Sequence, residues 1–383
     1  MTVAELLQNE ELRRHEFPVA EKHIYLAHAG VCPLPRRVAE AVQRYSADCT
    51  VADQEAILPP KLISRSRELA ARILNVQPEE IAFVGPTSLG LSAVAGGFDF
   101  RKGDNILIYF DDYPSNVYPW TALAEKGVQV RLLNVKELGR IRAGDIETQV
   151  DENTRLVAMP SCHFVAGWRI EIERIGRFLR ERGIAFCVDG IQTAGAFPTP
   201  FNFADFVAAD SHKWLLGPCA AGIFYVRKEW QDRLRPVSLG WNNIRCPNYV
   251  AQEQIVFHKD ARRYEAGTGN WLGLVGLQAA MELLLEFGIE NIGAELLRKR
   301  AWLVPALQEQ GYTVLNADAP ATHASAIISF HRPGSDMGLI HEKLTQANIV
   351  TSLRADRANN RYIRLSPHFY NTDAELQRVI ELV

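Results

Sequence analysis

The sequence has no long hydrophobic run and no concentration of charge of one sign. No stretch approaches the roughly 18 consecutive apolar residues of a membrane-spanning helix, and residues 1–16 lack the apolar core of a signal peptide. The 42 basic residues are spread along the chain and nearly balance the 45 acidic residues, so the formal net charge is only −3. These absences argue against a membrane or a nucleic acid as partner. We expect the protein to be cytoplasmic.

The common metal and nucleotide motifs are also missing. The six cysteines are widely scattered, with no C-x-x-C pair and no histidine cluster at metal-ligand spacing, so we expect reduced thiols and no metal. Neither G-x-G-x-x-G nor G-x-x-x-x-G-K-[ST] occurs, so neither a dinucleotide nor a nucleoside triphosphate is favoured. A bound phosphate would then belong to another small molecule.

A chain of 383 residues exceeds the usual size of about 100 to 200 residues per domain, so two domains are expected. Between residues 65 and 227, short apolar runs alternate with amphipathic segments, which predicts an α/β domain with a doubly wound, mostly parallel sheet. We predict an N-terminal segment (1–30) near the cleft and the small domain, a large domain (31–250) and a smaller C-terminal α+β domain (251–383). The predicted strands of the large domain are 81–84, 105–109, 128–133, 155–159, 185–188, 206–209 and 222–226. The predicted helices are 88–96, 114–126, 171–182, 271–287 and 289–310.

Three predicted strands end on residues that could form one binding site. The strand 206–209 leads into Lys213, and ligands of open α/β sheets lie at the carboxyl ends of strands. The strand 185–188 ends on Asp189, whose carboxylate could hold a pyridinium nitrogen protonated. The strand 81–84 leads through Thr87 and Ser88 into a helix, where free N–H groups favour an anion. Each feature alone has an ordinary explanation, as a solvated lysine, a turn aspartate or a helix cap. Together they predict a site for pyridoxal 5'-phosphate (PLP).

Seven segments of the chain are similar to motifs of the class V aminotransferases, a family of PLP-dependent enzymes of fold type I. The family includes cysteine desulfurases, selenocysteine lyases, kynureninases and isopenicillin N epimerase. The resemblance covers nearly the whole chain, and its segments are 24–30 (IYLAHAG), 86–88 (PTS), 113–116 (YPSN), 188–192 (VDGIQ), 210–213 (DSHK), 265–268 (EAGT) and 364–371 (RLSPHFYN). It implies the fold of a PLP-dependent transferase with a large and a small domain.

The resemblance also implies roles for individual residues. Lys213 would form the Schiff base with PLP and act as the catalytic base. The implied cofactor-binding residues are Thr87, Ser88, Tyr113, Asp189, Gln192, Asp210, His212, Lys213 and Thr268. Among them, Asp189 would pair with the pyridine nitrogen, Gln192 would approach the ring hydroxyl, Ser88 and His212 would hold the phosphate, and Tyr113 would stack on the ring. Thr268 would reach the phosphate of a neighbouring subunit, which implies a homodimer with active sites at the interface.

Substrate recognition is implied at four positions. Arg364 matches the arginine that binds the α-carboxylate of the substrate, and Arg354 is a second candidate. His28 and His163 lie in segments that line the cleft of relatives, and a packed histidine is the alternative for His163.

The sequence departs from the desulfurases where they carry a nucleophilic cysteine. Residues 350–360 read VTSLRADRANN, so a persulfide-forming mechanism is not expected. We therefore predict an aminotransferase acting on a small L-amino acid. The alternatives are a β-eliminating carbon–sulfur lyase that needs no cysteine, a racemase or kynureninase-like enzyme, and a non-catalytic PLP-binding scaffold.

Overall fold

The computed structural model describes all 383 residues, and its secondary structure alternates strands and helices through the first two thirds of the chain. The strands, numbered in chain order, are β1 (Ile24–Tyr25), β2 (Ile81–Val84), β3 (Asn105–Ile108), β4 (Gln129–Leu132), β5 (Thr154–Pro160), β6 (Ala185–Asp189), β7 (Phe206–Ala209), β8 (Gly222–Val226), β9 (Thr313–Val314), β10 (Ile328–His331), β11 (Ile349–Val350), β12 (Ser352–Ala355) and β13 (Arg361–Leu365).

The α-helices are α1 (Val3–Gln8), α2 (Glu10–Glu16), α3 (Arg36–Asp48), α4 (Leu62–Leu74), α5 (Thr87–Gly97), α6 (Tyr118–Thr121), α7 (Ala143–Glu147), α8 (Ile172–Glu181), α9 (Lys228–Gln231), α10 (Trp271–Phe287), α11 (Ile289–Glu309), α12 (Met337–Gln346) and α13 (Asp373–Ile380). Taken alone, no helix is both long enough and apolar enough to cross a bilayer. The pair α10 and α11 meets those criteria together, but it is bent by 74°.

The large sheet has seven strands in the order β2-β8-β7-β6-β5-β3-β4. Strands β3 to β7 pair in parallel, whereas β8 runs antiparallel to both β2 and β7. All residues of β3, β6, β7 and β8 are buried, because helices cover both faces. The mostly parallel α/β sheet expected from the sequence is confirmed.

The helix predicted over 114–126 is wrong. The chain forms a 3₁₀ turn at Pro114–Asn116, the short helix α6, and a second 3₁₀ turn at Ala122–Lys126. Pro119 lies inside this stretch and has no N–H to donate, which prevents one continuous helix. The break matters for the site because it leaves Tyr113 and Ser115 on a turn at the end of the sheet.

The second sheet has four antiparallel strands in the order β12-β13-β10-β9, and β1 pairs in parallel with β11 beside it. A separate apolar core includes Leu26, Leu303, Ile328 and Ile363. Helix α10 instead packs into the core of the large sheet, and α11 contributes to both cores. The domain boundary at residue 250 stays a prediction, and this packing favours a later boundary, within α11.

Candidate active site

Lys213 lies on the loop that follows β7, at the carboxyl end of the large sheet. Its side chain is buried, and its Nζ lies 5.2 Å from the centre of the Tyr113 ring. Burial lowers the pKa of Lys213 to about 8, because a charged amine loses its hydration there. The nearby guanidinium groups of Arg364 and Arg354 lower this pKa further, whereas Asp189 raises it. About a tenth of the amine is therefore neutral, and nucleophilic, at pH 7, far more than for an ordinary lysine.

Asp210 organises the loop that carries Lys213. Its two carboxylate oxygens accept hydrogen bonds from Ser211 N (2.8 Å), Ala221 N (3.0 Å), Ala220 N (3.0 Å) and His212 Nδ1 (2.7 Å). The hydroxyl of Thr87 in turn accepts a hydrogen bond of 2.9 Å from the backbone N of Asp210. The cofactor contact expected for Asp210 stays a prediction, and in the structure the loop itself uses both oxygens.

Asp189 ends β6, the strand next to β7, so its carboxylate and Lys213 lie at the same edge of the sheet. The side chain is buried and accepts a hydrogen bond of 3.1 Å from the backbone N of Ile191. Burial raises the pKa of Asp189, and the Lys213 charge opposes that shift. A protonated ring nitrogen placed beside this carboxylate would stabilise its charged form. The Asp189 carboxylate therefore fits the protonated pyridine nitrogen of PLP.

Gln192 is held in the floor of the cleft. Its Oε1 accepts a hydrogen bond of 2.8 Å from Trp214 Nε1, and its Nε2 donates to the carbonyl of Ala29 at 3.2 Å. One amide hydrogen remains for a ligand. Gln192 can therefore make the predicted contact to a ring hydroxyl only through this one N–H.

The beginning of α5 fits an anion. The helix starts at Thr87 directly after β2, and no side chain caps it, so the first N–H groups are free. Ser88 lies in this first turn and its Oγ donates to Ser115 Oγ at 2.9 Å. The Nδ1 of His212 is bonded to Asp210, which leaves its Nε2 for a ligand. These groups fit a phosphate.

Tyr113 stands at the open side of the cleft. Its side chain is 44% exposed, although its ring faces Lys213 and makes an edge-to-face contact with Phe164 at 5.4 Å. An aromatic ring that is both accessible and opposite the amine can cover a planar ligand. This placement agrees with the stacking role predicted for Tyr113.

Arg354 and Arg364 converge on one point from the neighbouring strands β12 and β13. A methyl group placed at Gly30 would lie 3.6 Å from Arg364 Nη2 and 3.8 Å from Arg354 Nη2. Arg364 is held by the carbonyl of Phe164 at 2.7 Å, yet the buried Nε atoms of both arginines have no partner. Burial lowers the pKa of Arg364 to about 9, with Arg354 adding to the shift. Two adjacent guanidinium groups with free donors form an anion site that suits a carboxylate.

The two histidines predicted to bind substrate have both ring nitrogens occupied within the protein. His28 Nδ1 contacts the carbonyl of Ser366 at 2.9 Å and its Nε2 contacts the Tyr370 hydroxyl at 2.8 Å. His163 Nε2 contacts the carbonyl of Asp111 at 3.0 Å, and its Nδ1 accepts from Ala166 N at 2.9 Å. Burial lowers the pKa of each histidine to about 4, so both rings are neutral. Their substrate-binding role stays a prediction, and a ligand that bonded to either ring would have to displace one of these contacts.

Asp112 is a further acidic residue of the site and was not predicted from the sequence. This buried carboxyl follows β3, and its Oδ2 accepts a hydrogen bond of 2.8 Å from Asn116 Nδ2. Burial raises the pKa of Asp112 to about 8, and the charge of Asp189 adds to the shift. Asp112 is thus mostly protonated at neutral pH and holds the turn that presents Tyr113. The signal that pointed to Asp189, an acid after a buried strand, would have found it.

Thr268 lies apart from these groups within one subunit. It is exposed and lines a separate cavity of about 530 Å³, together with Phe83, Leu89 and Trp271. Within one subunit, Lys213, Asp189, Tyr113 and the arginine pair share one cleft, and Thr268 does not join them.

Comparison with known proteins places this geometry in context. The family model described as "Aminotransferase class-V" matches residues 24–379. A probable cysteine desulfurase of Methanothermobacter thermautotrophicus is 32% identical over 293 residues, which cover 75% of this chain and 72% of the relative. An uncharacterized aminotransferase of Bacillus subtilis, YcbU, is 28% identical and covers 97% of this chain and 96% of its own length.

Solved structures have the same architecture. The apo structure of a cysteine desulfurase from Thermococcus onnurineus NA1 superposes with a TM-score of 0.88 at 25% identity, covering 97% of this chain and 96% of that one. The two-domain fold of a PLP-dependent transferase, expected from the sequence, is confirmed.

Proposed function

Since the chain belongs to the class V aminotransferase family and is a PLP-dependent enzyme, we propose that it cleaves the carbon–sulfur bond of a cysteine-type amino acid by β-elimination. One observation carries the proposal. The cleft joins a lysine of lowered pKa, a buried acid and two arginines without an acidic partner, and the turn between β12 and β13 carries no cysteine. The relatives named as cysteine desulfurases support a sulfur-containing substrate. Because this turn has no cysteine, we expect the sulfur to be released instead of being transferred to a protein thiol.

Each residue of the cleft has a separate role in such a reaction. Bound PLP supplies an electron-poor ring that accepts the electron pair left at the substrate Cα. Arg364, with Arg354 beside it, binds the α-carboxylate and orients the substrate. The neutral amine of Lys213 takes the proton from Cα, and Asp189 keeps the ring nitrogen protonated.

In the elimination, the bond between Cβ and sulfur breaks and its electron pair leaves with the sulfur. The thiolate then takes a proton from Lys213 or water, and hydrolysis of the three-carbon product yields pyruvate and ammonia.

The small-domain turn on which a desulfurase carries its nucleophilic cysteine has none in this chain. The turn between β12 and β13, residues 356–360, contains none. Cys32 lies in contact with the loop that carries Lys213, because its backbone N donates to the carbonyl of His212 at 2.7 Å. Burial raises the pKa of Cys32 to about 12, however, so its thiol is not ionised at neutral pH. The sulfur therefore leaves to solvent as sulfide or as a small thiol.

Transamination, the leading prediction of the sequence analysis, is the second candidate. The similarity to the uncharacterized aminotransferase of Bacillus subtilis extends over nearly the whole of both chains, which favours it. The same residues would bind and orient the substrate, and bound PLP would supply the acceptor for the proton that Lys213 holds.

Product analysis separates the two candidates. The purified enzyme is incubated with PLP and either L-cysteine or L-cystine, or with L-alanine and a 2-oxo acid, and a Lys213→Ala variant is the control. We expect pyruvate and sulfur products from the sulfur substrates in amounts that exceed the enzyme many times over. A new amino acid formed from the 2-oxo acid, without sulfide or persulfide, would contradict the lyase proposal and favour the aminotransferase.

A homodimer is part of the same proposal. Residues 237–256 carry several exposed apolar side chains, which include Val237, Leu239, Trp241, Val250 and Ile255. Exposed apolar surface is typical of protein interfaces. We propose that a second copy covers this segment and that its Thr268 reaches the phosphate of the neighbouring site.

A further inference from the structure

A buried ion pair lies where the phosphate end of the site meets the segment that carries Thr268. Arg67 of α4 and Glu265 are joined by a contact of 2.7 Å, and their side chains are only 9% and 12% exposed. The guanidinium of Arg67 also lies 5.2 Å from the centre of the Phe83 ring. The pair is therefore packed, and it contacts strand β2 from outside the sheet.

The ion pair completes the hydrogen bonding of an edge strand. Strand β2 pairs with β8 on one side only, so its outward N–H and C=O groups have no neighbouring strand. Glu265 Oε1 accepts a hydrogen bond of 2.7 Å from Phe83 N, and Arg67 Nη1 donates to the carbonyl of Ile81. The two side chains thus replace a neighbouring strand: Glu265 accepts from the outward N–H of β2, and Arg67 donates to its outward carbonyl.

Both ends of this arrangement lead to phosphate-binding positions. From Phe83 the chain runs four residues to Thr87, where α5 begins. From Glu265 it runs three residues to Thr268, along a segment also held by Asn242 Nδ2, which donates to the carbonyl of Glu265 at 3.1 Å. A shift of the ion pair would move the first turn of α5 and the Thr268 segment together.

We propose that Arg67 and Glu265 are positioning residues that fix two elements at once, the first turn of α5 in their own subunit's site and the segment whose Thr268 serves the neighbouring site. This inference rests on the proposed function, in which the homodimer brings Thr268 to a phosphate. Neither residue needs to touch the cofactor. The pair acts by holding N–H and hydroxyl donors at fixed places, so its loss should weaken contacts to the phosphate group and leave the lysine end of the site intact.

The test compares PLP with pyridoxal, which has the same aldehyde and ring but no phosphate. Affinity of the apo-protein for each is measured from the absorption change that depends on Lys213, with Lys213→Ala subtracted. For Glu265→Ala, we expect the affinity for PLP to fall by about tenfold or more, the usual effect of losing a hydrogen bond to an anion. The affinity for pyridoxal should stay within about twofold of wild type.

A second ion pair provides a matched control. Arg13 and Glu375 are joined at 2.8 Å with exposures of 3% and 12%, and they pack between α2 and α13. Glu375→Ala should lower the melting temperature without changing the ratio of PLP to pyridoxal affinity. Glu265→Gln, which keeps an oxygen for Phe83 N, should show the same selective loss to a smaller degree, and it serves if the alanine variant fails to fold.

Equal losses for PLP and pyridoxal in the Glu265 variants, or no loss for PLP, would overturn the inference while leaving PLP binding in place. A wild-type protein that shows no Lys213-dependent absorption change with PLP would overturn the proposed function as well.

Discussion

The reactivity of Lys213 depends on its charged neighbours. Its pKa is lowered to about 8 by burial first, then by Arg364 and Arg354, against Asp189. An amine reacts with an aldehyde only in the neutral form, so the reaction of apo-protein with pyridoxal should speed up with rising pH and reach half its maximum near pH 8. Replacing Arg354 with glutamine removes a positive neighbour and raises the Lys213 pKa. The rise should then move to higher pH, as stopped-flow absorption would record.

A variant with the opposite expected effect on the Lys213 pKa provides the control. Asp189→Asn removes the carboxylate that raises the Lys213 pKa, so the rise should move to lower pH. Identical pH profiles for wild type and both variants would show that these charges do not act on the lysine.

His28 should affect stability rather than substrate binding. A leucine at this position leaves the Tyr370 hydroxyl without a partner and the Ser366 carbonyl with only the backbone N of residue 28, at about 1 to 3 kcal/mol of unfolding free energy. The KM for the amino acid should stay unchanged, because neither ring nitrogen is free. Tyr370→Phe, which removes only one bond, should cost less. A raised KM with unchanged stability in His28→Leu would instead restore the substrate-binding role.

The same buried ring makes stability depend on pH. The pKa of His28 is about 4 in the folded protein, below its ordinary value of 6.5. The unfolded chain therefore binds more protons in this range, and the histidine's contribution is lost as pH falls from 6.5 toward 4, by at most about 3 kcal/mol. Urea denaturation of wild type should show this loss, and His28→Leu should show a shallower one.

At the level of elements, burial decided which predictions succeeded. Strands β2, β7 and β8 have the predicted bounds because each is an apolar run bounded by turn residues, and β7 and β8 are also fully buried. The prediction of one helix over 114–126 was wrong because it followed helix-forming residues such as Ala122 and Leu123 and gave too little weight to Pro119. The loop after β7 could be recognised from its lysine, but its shape depends on hydrogen bonds to Asp210 from residues ten positions away.

That loop should loosen when Asp210 is changed to asparagine. An amide can still accept through its oxygen, but its NH₂ group faces donors, so the bond from Ala220 N or the bonds from Ser211 N and Ala221 N are lost, depending on which way the amide turns. We expect about 1 to 3 kcal/mol of destabilisation in urea titrations, with slower reaction of Lys213 toward pyridoxal. Asp336→Asn at the exposed N-cap of α12 should cost about 1 kcal/mol or less and leave that reaction unchanged. An Asp210 variant as stable and reactive as wild type would contradict this account of the loop.

At the level of the whole molecule, the substrate end of the site could not be derived from the residues alone. Gly30, Arg354 and Arg364 come from opposite ends of the chain and meet only because β1 pairs with β11 beside β12 and β13. Arg364 was found through a family motif. The convergence of both guanidinium groups on one point, with no acid between them, is visible only in the structure.

The proposed dimer makes a prediction that single variants cannot test. Lys213→Ala removes the catalytic amine, and Thr268→Ala removes a hydroxyl that the dimer would deliver to the neighbouring site. If each variant alone has low activity at limiting PLP, mixed dimers contain one site with a native Lys213 and a native partner Thr268. Random reassociation after mild denaturation would then restore about a quarter of the sites. If Thr268 serves its own subunit, every site in the mixture stays defective and no activity returns. A monomer in sedimentation at active concentrations would give that same result and would contradict the interface at residues 237–256.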